Sequence, residues 1–384
     1  MANENRNLWL DLVRGLSALI VCLGHLRAGI MVDYPSLLHP SLAIKLFYFV
    51  TGLGHEAVMV FFVLSGYFVG GGVLRAAANF SWNRYLTARL TRLWVVLIPC
   101  LAITFGMDQV LKHVSPDVLS GVHYASWHSG PKVGEYSAGV STLLANILFL
   151  QTIISPVFGT NSPLWSLANE FWYYILFPLI VIELLKSTSM QLRVFYFALL
   201  AGIAWCLPTS ILFGFVIWNL GVAVYVLQAK FKALTENRVP FALLFGLLTF
   251  GLSLIYAKSK TLIPIFGVCS DLLVGASFAI LCLVLTAKSF PTLRLPKLAY
   301  LVRELSEMSY SLYVCHFPLV VFVASIFYSA EKMQPTALGL VHFLFWSSVL
   351  VLFARMLWWL FESRTEALRH TVLAFIEAKV NFFI

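Results

Sequence analysis

The sequence predicts an all-α, polytopic membrane protein, and three observations carry that prediction. Hydrophobic residues make up 60% of the 384 positions, charged residues make up 11%, and mean hydropathy is +0.87. This apolar content exceeds what the core of a soluble protein can bury. The apolar residues also form continuous runs and not the alternating pattern of outer-membrane strands, which excludes a β-barrel.

Ten apolar runs are long enough to cross a bilayer as helices, for which about 20 residues are needed. The first run is followed by no small-residue cleavage site and contains an arginine, so we expect a retained span and not a signal peptide. The ten predicted spans are residues 8–30, 55–74, 93–111, 164–185, 191–208, 211–228, 240–257, 262–287, 306–329 and 336–361.

Basic residues in the loops predict the orientation of these spans. With a cytoplasmic N-terminus, 17 Lys and Arg residues fall on the cytoplasmic side and 7 on the opposite side. This bias fits the positive-inside rule and places both termini in the cytoplasm. The run 141–155 is too short to span, and counting it would invert every later loop, so we expect a re-entrant or interfacial segment. The run 41–54 is interpreted as an outer hairpin.

The domain organisation follows from these spans. Residues 1–362 are expected to form a single transmembrane domain, and residues 363–384 a basic, amphipathic tail on the inner surface. The net charge of +9 comes from short loops between spans, so it indicates topology and not nucleic-acid binding. The six cysteines lie within apolar runs without metal-ligand spacing, which favours buried small hydrophobes and no metal site.

Two ionisable residues within the first span are the leading functional candidates. Arg14 and His25 are eleven residues apart, so both side chains lie within roughly 20° of one helical face, about 16 Å apart along the axis. Such groups are costly inside a bilayer and mark functional sites by default. With the N-terminus inside, Arg14 lies in the inner third of the span and His25 near its outer end.

Further polar residues are expected at the two membrane surfaces. His55, Glu56 and Glu170 share the outer level of His25, whereas Arg84, Arg89 and Arg92 form an inner cationic patch suited to phosphate groups. Each feature has a structural alternative. His25 can be an interhelical hydrogen-bonder, His55 and Glu56 ordinary interfacial residues, and the arginines an orientation signal. Ser65-Gly66 can mark close helix packing, and Trp165 an aromatic belt.

Five short motifs in chain order resemble those of the acyltransferase-3 family of membrane acyltransferases. They are Arg14-(ten residues)-His25, FFVLSGY at 61–67, RLTRL at 89–93 with Pro99 following, PLWSLANEFWYYILFP at 163–178, and MSYSLYVCHFP at 308–318. Phe361-Glu362-Ser363 falls where the family closes with an aromatic residue, a glutamate and often a proline. Arg364 stands in place of that proline, and no role is assigned to this end.

The resemblance implies transfer of an acyl group, usually acetyl, from cytoplasmic acyl-CoA to a hydroxyl of an extracytoplasmic carbohydrate or glycolipid. It implies a bacterial inner-membrane enzyme of the stand-alone form, without a fused extracytoplasmic domain. His25 is expected to be the general base, because imidazole titrates near neutral pH. Arg14 would stabilise the donor, and Glu170 or Glu56 would orient His25. The expected acyl-CoA contacts are Arg84, Arg89, Arg92, Ser65 and Tyr310, and the additional candidates are His55, Glu56, Trp165, Ser166 and His316.

Two other functions compete with acyl transfer. A transporter or flippase for a sugar-linked lipid would also use buried charges near the midplane, but the sequence contains no paired broken helices and no visible repeat. A glycosyltransferase that uses a lipid-linked sugar would need acidic residues in the first outer loop, where only Asp33 and Glu56 are present. Acetyl-CoA binding or slow hydrolysis would separate the acyltransferase from a transporter.

Overall fold

The computed structural model describes residues 6–185, 189–231, 236–259, 266–293, 295–329 and 331–383. Within these residues the chain is almost entirely helical, and its only β-structure is two isolated bridges. The all-α prediction is therefore confirmed. The α-helices are α1 Leu8–Ile30, α2 Leu42–Thr51, α3 Gly54–Ser65, α4 Gly71–Ala76, α5 Trp82–Val114, α6 Tyr124–Trp127, α7 Val140–Ile147, α8 Trp165–Leu185, α9 Met190–Cys206, α10 Thr209–Phe231, α11 Val239–Lys258, α12 Phe266–Leu285, α13 Pro296–Glu307, α14 Ser309–Phe327, α15 Ala337–Leu360 and α16 Thr365–Phe383.

Eight stretches of the described chain are long and apolar enough to cross a membrane, which confirms a multi-pass protein. They are Leu8–Ile30, Gly54–Asn79, Trp82–Val114, Ser162–Val181, Thr209–Phe231, Val239–Lys258, Ser309–Phe327 and Ala337–Ile376.

The other two predicted spans, 191–208 and 262–287, correspond to shorter apolar helices, Met190–Cys206 and Cys269–Leu285. The orientation of the spans stays a prediction. Of the basic residues that support it, Lys186, Lys232, Lys260, Arg294 and the side chain of Lys379 lie outside the described residues.

The chain divides into two compact units, of which the first comprises Met1–Val21, Leu46–Ala78 and Asn169–Glu307. Its closest helix packing joins the end of α3, and the π-helical turn Gly66–Gly70 after it, to α10. A Cβ atom at Gly66 would lie 1.8 Å from the carbonyl oxygen of Trp218, and one at Gly221 would lie 1.9 Å from that of Val63. Only glycine allows two helix backbones to approach this closely.

The second unit comprises Cys22–Lys45, Asn79–Ala168 and Met308–Ile384. Helix α14 is its most buried helix and packs against α5 and α15. The last part of α1 runs beside α14, where a Cβ atom at Gly29 would lie 3.2 Å from that of Ala324. Beyond these helices, Lys332 lies 3.8 Å from Asp33. Burial lowers the pKa of Lys332, and the Asp33 carboxylate partly offsets that effect.

The segment between α5 and α8, residues 115–164, belongs wholly to the second unit and is called the α5–α8 segment below. Its helix α7 has 8 residues, or about 12 Å, which is too short to span a membrane. Fully buried polar side chains hold the segment in place by hydrogen bonds. Asn146 donates to Pro156 O and accepts from the Phe158 amide, and Asp108 accepts two hydrogen bonds from Thr160. These bonds give an irregular stretch a defined conformation.

Candidate active site

A pair of histidines forms the centre of the candidate site in the second unit. His25 Nδ1 lies 2.8 Å from His316 Nε2, and the two rings are nearly parallel, with 6° between their planes. The edge of Phe317 packs against His25, with 4.9 Å between ring centroids. His316 is buried and His25 is half-buried. The structure thus places a second predicted site residue against His25, although 291 residues separate the two in the chain.

Backbone carbonyls determine the tautomers of this pair. His316 Nδ1 lies 2.7 Å from Tyr313 O and 3.1 Å from Leu312 O. A carbonyl oxygen can only accept, so His316 Nδ1 carries the proton, and in the neutral ring its Nε2 is an acceptor. His25 Nδ1–H therefore donates to His316 Nε2, and the lone pair of the neutral His25 ring lies on its Nε2. That nitrogen has the electronic form of a general base.

The motif around Trp165 and Ser166 is anchored to the same helix, α14. Ser166 Oγ and the Tyr313 hydroxyl are 2.6 Å apart, and the Asn161 side-chain amide donates to Val314 O at 3.0 Å. Tyr313 is also the residue whose carbonyl accepts from His316. The end of the α5–α8 segment is therefore bonded to the helical turn that positions His316.

The predicted cationic patch lies in the first three turns of α5. Arg92 forms an ion pair with Glu362, 2.7 Å between Nη1 and Oε1, and its guanidinium lies 5.4 Å from the Tyr310 ring centre. Glu362 is 4% exposed and also accepts from the amide and hydroxyl of Ser311. Arg84 is exposed and Arg89 half-buried. Arg92 is half-buried as well, so Arg84 is the most exposed of the three arginines.

Ser65 and Glu170 meet in the first unit. The Ser65 hydroxyl donates to Glu170 Oε1 at 2.7 Å and accepts from Trp218 Nε1 at 3.1 Å. The Tyr174 hydroxyl donates to the same carboxylate oxygen at 2.5 Å. The FFVLSGY motif therefore has two structural roles. Its Gly66 allows close helix packing, and its Ser65 belongs to a polar cluster. Roles of Ser65 and Glu170 in the reaction stay predictions.

Arg14 also lies in a polar cluster of the first unit. Its guanidinium donates to Ser306 Oγ at 2.9 Å and lies 3.3 Å from Asp11 Oδ1. Asp11 and Ser306 are buried, and Ser306 donates to Asp11. Asp11 therefore pairs with Arg14 and also with Arg6. A catalytic role for Arg14 stays a prediction.

The remaining predicted residues of the first unit pair with residues distant in sequence. His55 Nε2 lies 2.9 Å from Asp271 Oδ1, and Lys258 Nζ lies 2.9 Å from Glu56 Oε2. Buried Glu56 thus has its own counter-ion. The idea that Glu56 orients His25 stays a prediction.

Three contributors were missed by the sequence reasoning: Asp11, Asn161 and Glu362. Asp11 precedes Arg14 by three residues, a spacing that pairs side chains on one helix face, so this partner was detectable. Glu362 was noticed only as part of a closing motif. No local pattern in the sequence indicated Asn161, because its hydrogen-bond acceptor, the Val314 carbonyl, lies 153 residues away in the chain.

A family model described as "Acyltransferase domain" matches residues 7–361, nearly the whole chain. The chain belongs to the acyltransferase-3 family. Neither the curated proteins nor the solved structures yielded a match. Membership in acyltransferase-3 assigns acyl transfer as the activity, and the eight apolar stretches identify a multi-pass membrane protein. Among the residues described, no group of three or more His, Cys, Asp or Glu is arranged to hold a metal ion.

Proposed function

We propose that this chain is an O-acyltransferase of the bacterial inner membrane. It transfers an acyl group, most simply acetyl, from cytoplasmic acyl-CoA to a hydroxyl of an extracytoplasmic carbohydrate or glycolipid. The observation that carries this proposal is the His25–His316 pair, because its hydrogen bonds leave a basic nitrogen on His25. The motif order and the family match support the same assignment.

The proposed reaction uses His25 twice. As base, His25 Nε2 removes the proton from the acceptor hydroxyl while the hydroxyl oxygen attacks the thioester carbonyl carbon. The carbon–sulfur bond breaks, and the imidazolium returns its proton to the departing thiolate. The products are an O-acyl carbohydrate and free CoA. The bond from His25 Nδ1–H to His316 selects the reactive tautomer for the first step and holds the orientation of the ring in both steps.

The second unit also offers a route for the donor. CoA phosphates cannot enter the bilayer core, so they would remain at Arg84, Arg89 and Arg92 in the first turns of α5. Tyr310, beneath Arg92, precedes His316 by six residues on α14, which is about 9 Å along the axis. A thin pantetheine arm would bridge that separation and bring the thioester to His25.

Replacement of the base tests the proposal directly. Cells that lack this chain are complemented with the wild type or with His25→Ala, and O-acyl groups on envelope carbohydrate are measured by NMR. We expect the wild type to restore them and His25→Ala to lose about 10²–10⁴-fold in transfer rate. His342→Ala, a histidine change elsewhere in the second unit, is the control. Full transfer by His25→Ala at normal protein level would overturn the assignment of the base.

The donor site is tested by removing one cation. Arg89→Gln is expected to raise the KM for acetyl-CoA about tenfold, because a charge-assisted contact to phosphate is lost. Arg193→Gln, an exposed arginine at the start of α9, is expected to leave that KM unchanged. Equal KM values for both variants would mean that Arg89 only contributes to the orientation of the protein in the membrane.

A further inference from the structure

We propose that a cavity in the α5–α8 segment binds the sugar unit that receives the acyl group, and that this unit carries no net charge. The inference rests on the proposed function and deepens it, because it assigns an acceptor site and a class of acceptor. The cavity is open on one side and has a volume of about 570 Å³, which lies within the roughly 300–1,000 Å³ of small-molecule sites. All of its lining residues belong to the second unit.

The chemistry of the walls suits a carbohydrate. Tyr124 and Trp165 contribute aromatic rings, against which the C–H face of a sugar can pack, and Ser162 contributes a hydroxyl. The turn 152–157 forms a further wall, and it includes the hydroxyl residues Thr152 and Ser155. A concave site with aromatic surfaces and a few polar groups gives orientation and specificity together.

The charges of the cavity are balanced. Lys132 and Glu135 are its only charged lining residues, and their side-chain charges lie 3.7 Å apart. The two side chains are 58% and 52% exposed, so a ligand can reach them. Lys132 also lies 5.7 Å from the Tyr124 ring centre, which joins the charged and aromatic parts of one wall. An anionic sugar would need an excess of basic groups, so the balance favours a neutral sugar.

The cavity connects to the histidine pair through hydrogen-bonded neighbours. Ser162 and Trp165 line it, and they flank Pro163, whose carbonyl accepts from the Tyr313 hydroxyl at 3.3 Å. The Tyr313 carbonyl in turn accepts from His316, the partner of His25. The wall at Ser162 and Trp165 is therefore bonded to the helical turn that carries His316, the partner of the proposed base.

The cavity wall is held in a defined shape. Thr152 has φ of 65°, an unusual left-handed conformation for a β-branched residue, and its amide donates to Ser155 O at 2.8 Å. Strained residues of this kind persist where the surroundings hold them, and they concentrate at ligand sites. The buried side chain of Asn146 holds the loop by hydrogen bonds to the Pro156 carbonyl and the Phe158 amide. A preformed wall favours binding, since little ordering is required.

The test compares two substitutions in the cavity, each of which removes one charge, with matched changes outside it. The full-length protein transfers labelled acetyl from acetyl-CoA to carbohydrate released from the envelope of cells that lack this chain. Glu135→Gln and Lys132→Gln are each expected to raise the KM for carbohydrate about tenfold, and to leave the KM for acetyl-CoA unchanged. Glu331→Gln and Lys112→Gln, at exposed positions outside the cavity, are expected to change neither constant.

A second measurement addresses the charge of the acceptor. The labelled product is depolymerised and passed over an anion exchanger, and we expect the label in the neutral fraction. Label on an acidic sugar would overturn the neutral assignment. An unchanged carbohydrate KM in both cavity variants, or a fall in kcat alone, would overturn the acceptor site. If the wild type transfers no label to carbohydrate at all, the proposed function itself fails.

Discussion

At the scale of single residues, the proposed role of His25 as general base depends on which of its nitrogens carries a proton. The answer comes from a chain of three groups: the Tyr313 carbonyl accepts from His316, and His316 accepts from His25. His316 takes the place that a carboxylate occupies in many hydrolases, since it holds the base in one tautomer. Unlike a carboxylate, it adds no negative charge to the low-dielectric interior. We therefore propose that His316 is a positioning residue.

Replacement of His316 tests this role. His316→Ala is expected to lower kcat roughly 10²-fold and to leave the KM for acetyl-CoA unchanged, because His25 loses only its orienting acceptor. His316→Gln is expected to recover part of the rate, since an amide oxygen can accept from His25 Nδ1–H. Steady-state kinetics of the purified variants give both constants. If Gln and Ala reduce kcat equally, His316 contributes packing and not tautomer control.

At the scale of helices, the closest contact in the first unit depends on two glycines. Gly66, directly after α3, faces Gly221 of α10. A Cβ atom at either position would collide with backbone atoms of the other helix, which cannot move aside as a flexible side chain can. Ser65, next to Gly66, places its hydroxyl between Glu170 and Trp218. The crossing of these helices therefore sets the position of the polar cluster, and a shift in one would move the other.

This packing predicts a clear effect of alanine. Gly66→Ala and Gly221→Ala are each expected to destabilise the fold by about 1–3 kcal/mol, as overpacking of a tight contact does. Gly202→Ala and Gly251→Ala are the matched controls, because a Cβ atom at either position has no atom within 4 Å. Thermal unfolding in detergent measures all four variants. Equal melting temperatures across the set would show that the two helices can separate at little cost.

At the scale of the whole molecule, helix α5 is long enough to link the proposed donor and acceptor sites across the membrane. Its 33 residues extend about 50 Å, longer than the roughly 30 Å hydrocarbon core. Arg84 and Arg89 lie near its beginning, and the segment that forms the proposed acceptor cavity follows its end. An enzyme with a donor on one face and an acceptor on the other needs such an arrangement. The excess of basic residues predicts that the arginine end of α5 lies in the cytoplasm.

Cysteine accessibility tests this orientation. Single cysteines are introduced as Glu135→Cys and Arg238→Cys in a chain whose own cysteines are replaced. In intact, right-side-out vesicles of the inner membrane, a membrane-impermeant maleimide is expected to label the cysteine at position 135. The cysteine at position 238 is expected to be labelled only after the membrane is permeabilised. Labelling of both from one side would contradict the proposed topology.

Much of the fold was predictable because burial in a bilayer imposes a strong local pattern. Helix α1 begins and ends at the predicted residues 8 and 30, and the predicted run 336–361 differs from α15 by one residue at each end. Boundaries were less accurate where a helix leaves the apolar core. Helix α5 begins at Trp82 and not at residue 93, since its polar first turns extend the helix beyond the predicted span. The predicted span 306–329 likewise contains a break between α13 and α14.

By itself, the sequence determined the all-helical membrane fold, the candidate residues His25 and Arg14, and the family motifs. Local composition and residue spacing predict these features, because only continuous apolar helices are stable across a bilayer. The tertiary structure decided the partners: His316 for His25, Glu362 for Arg92 and Asn161 for the backbone of α14. Such hydrogen bonds join residues that are far apart in the chain. Only the packing of helices brings them within bonding distance, and that packing turns His25 from a costly residue into a candidate base.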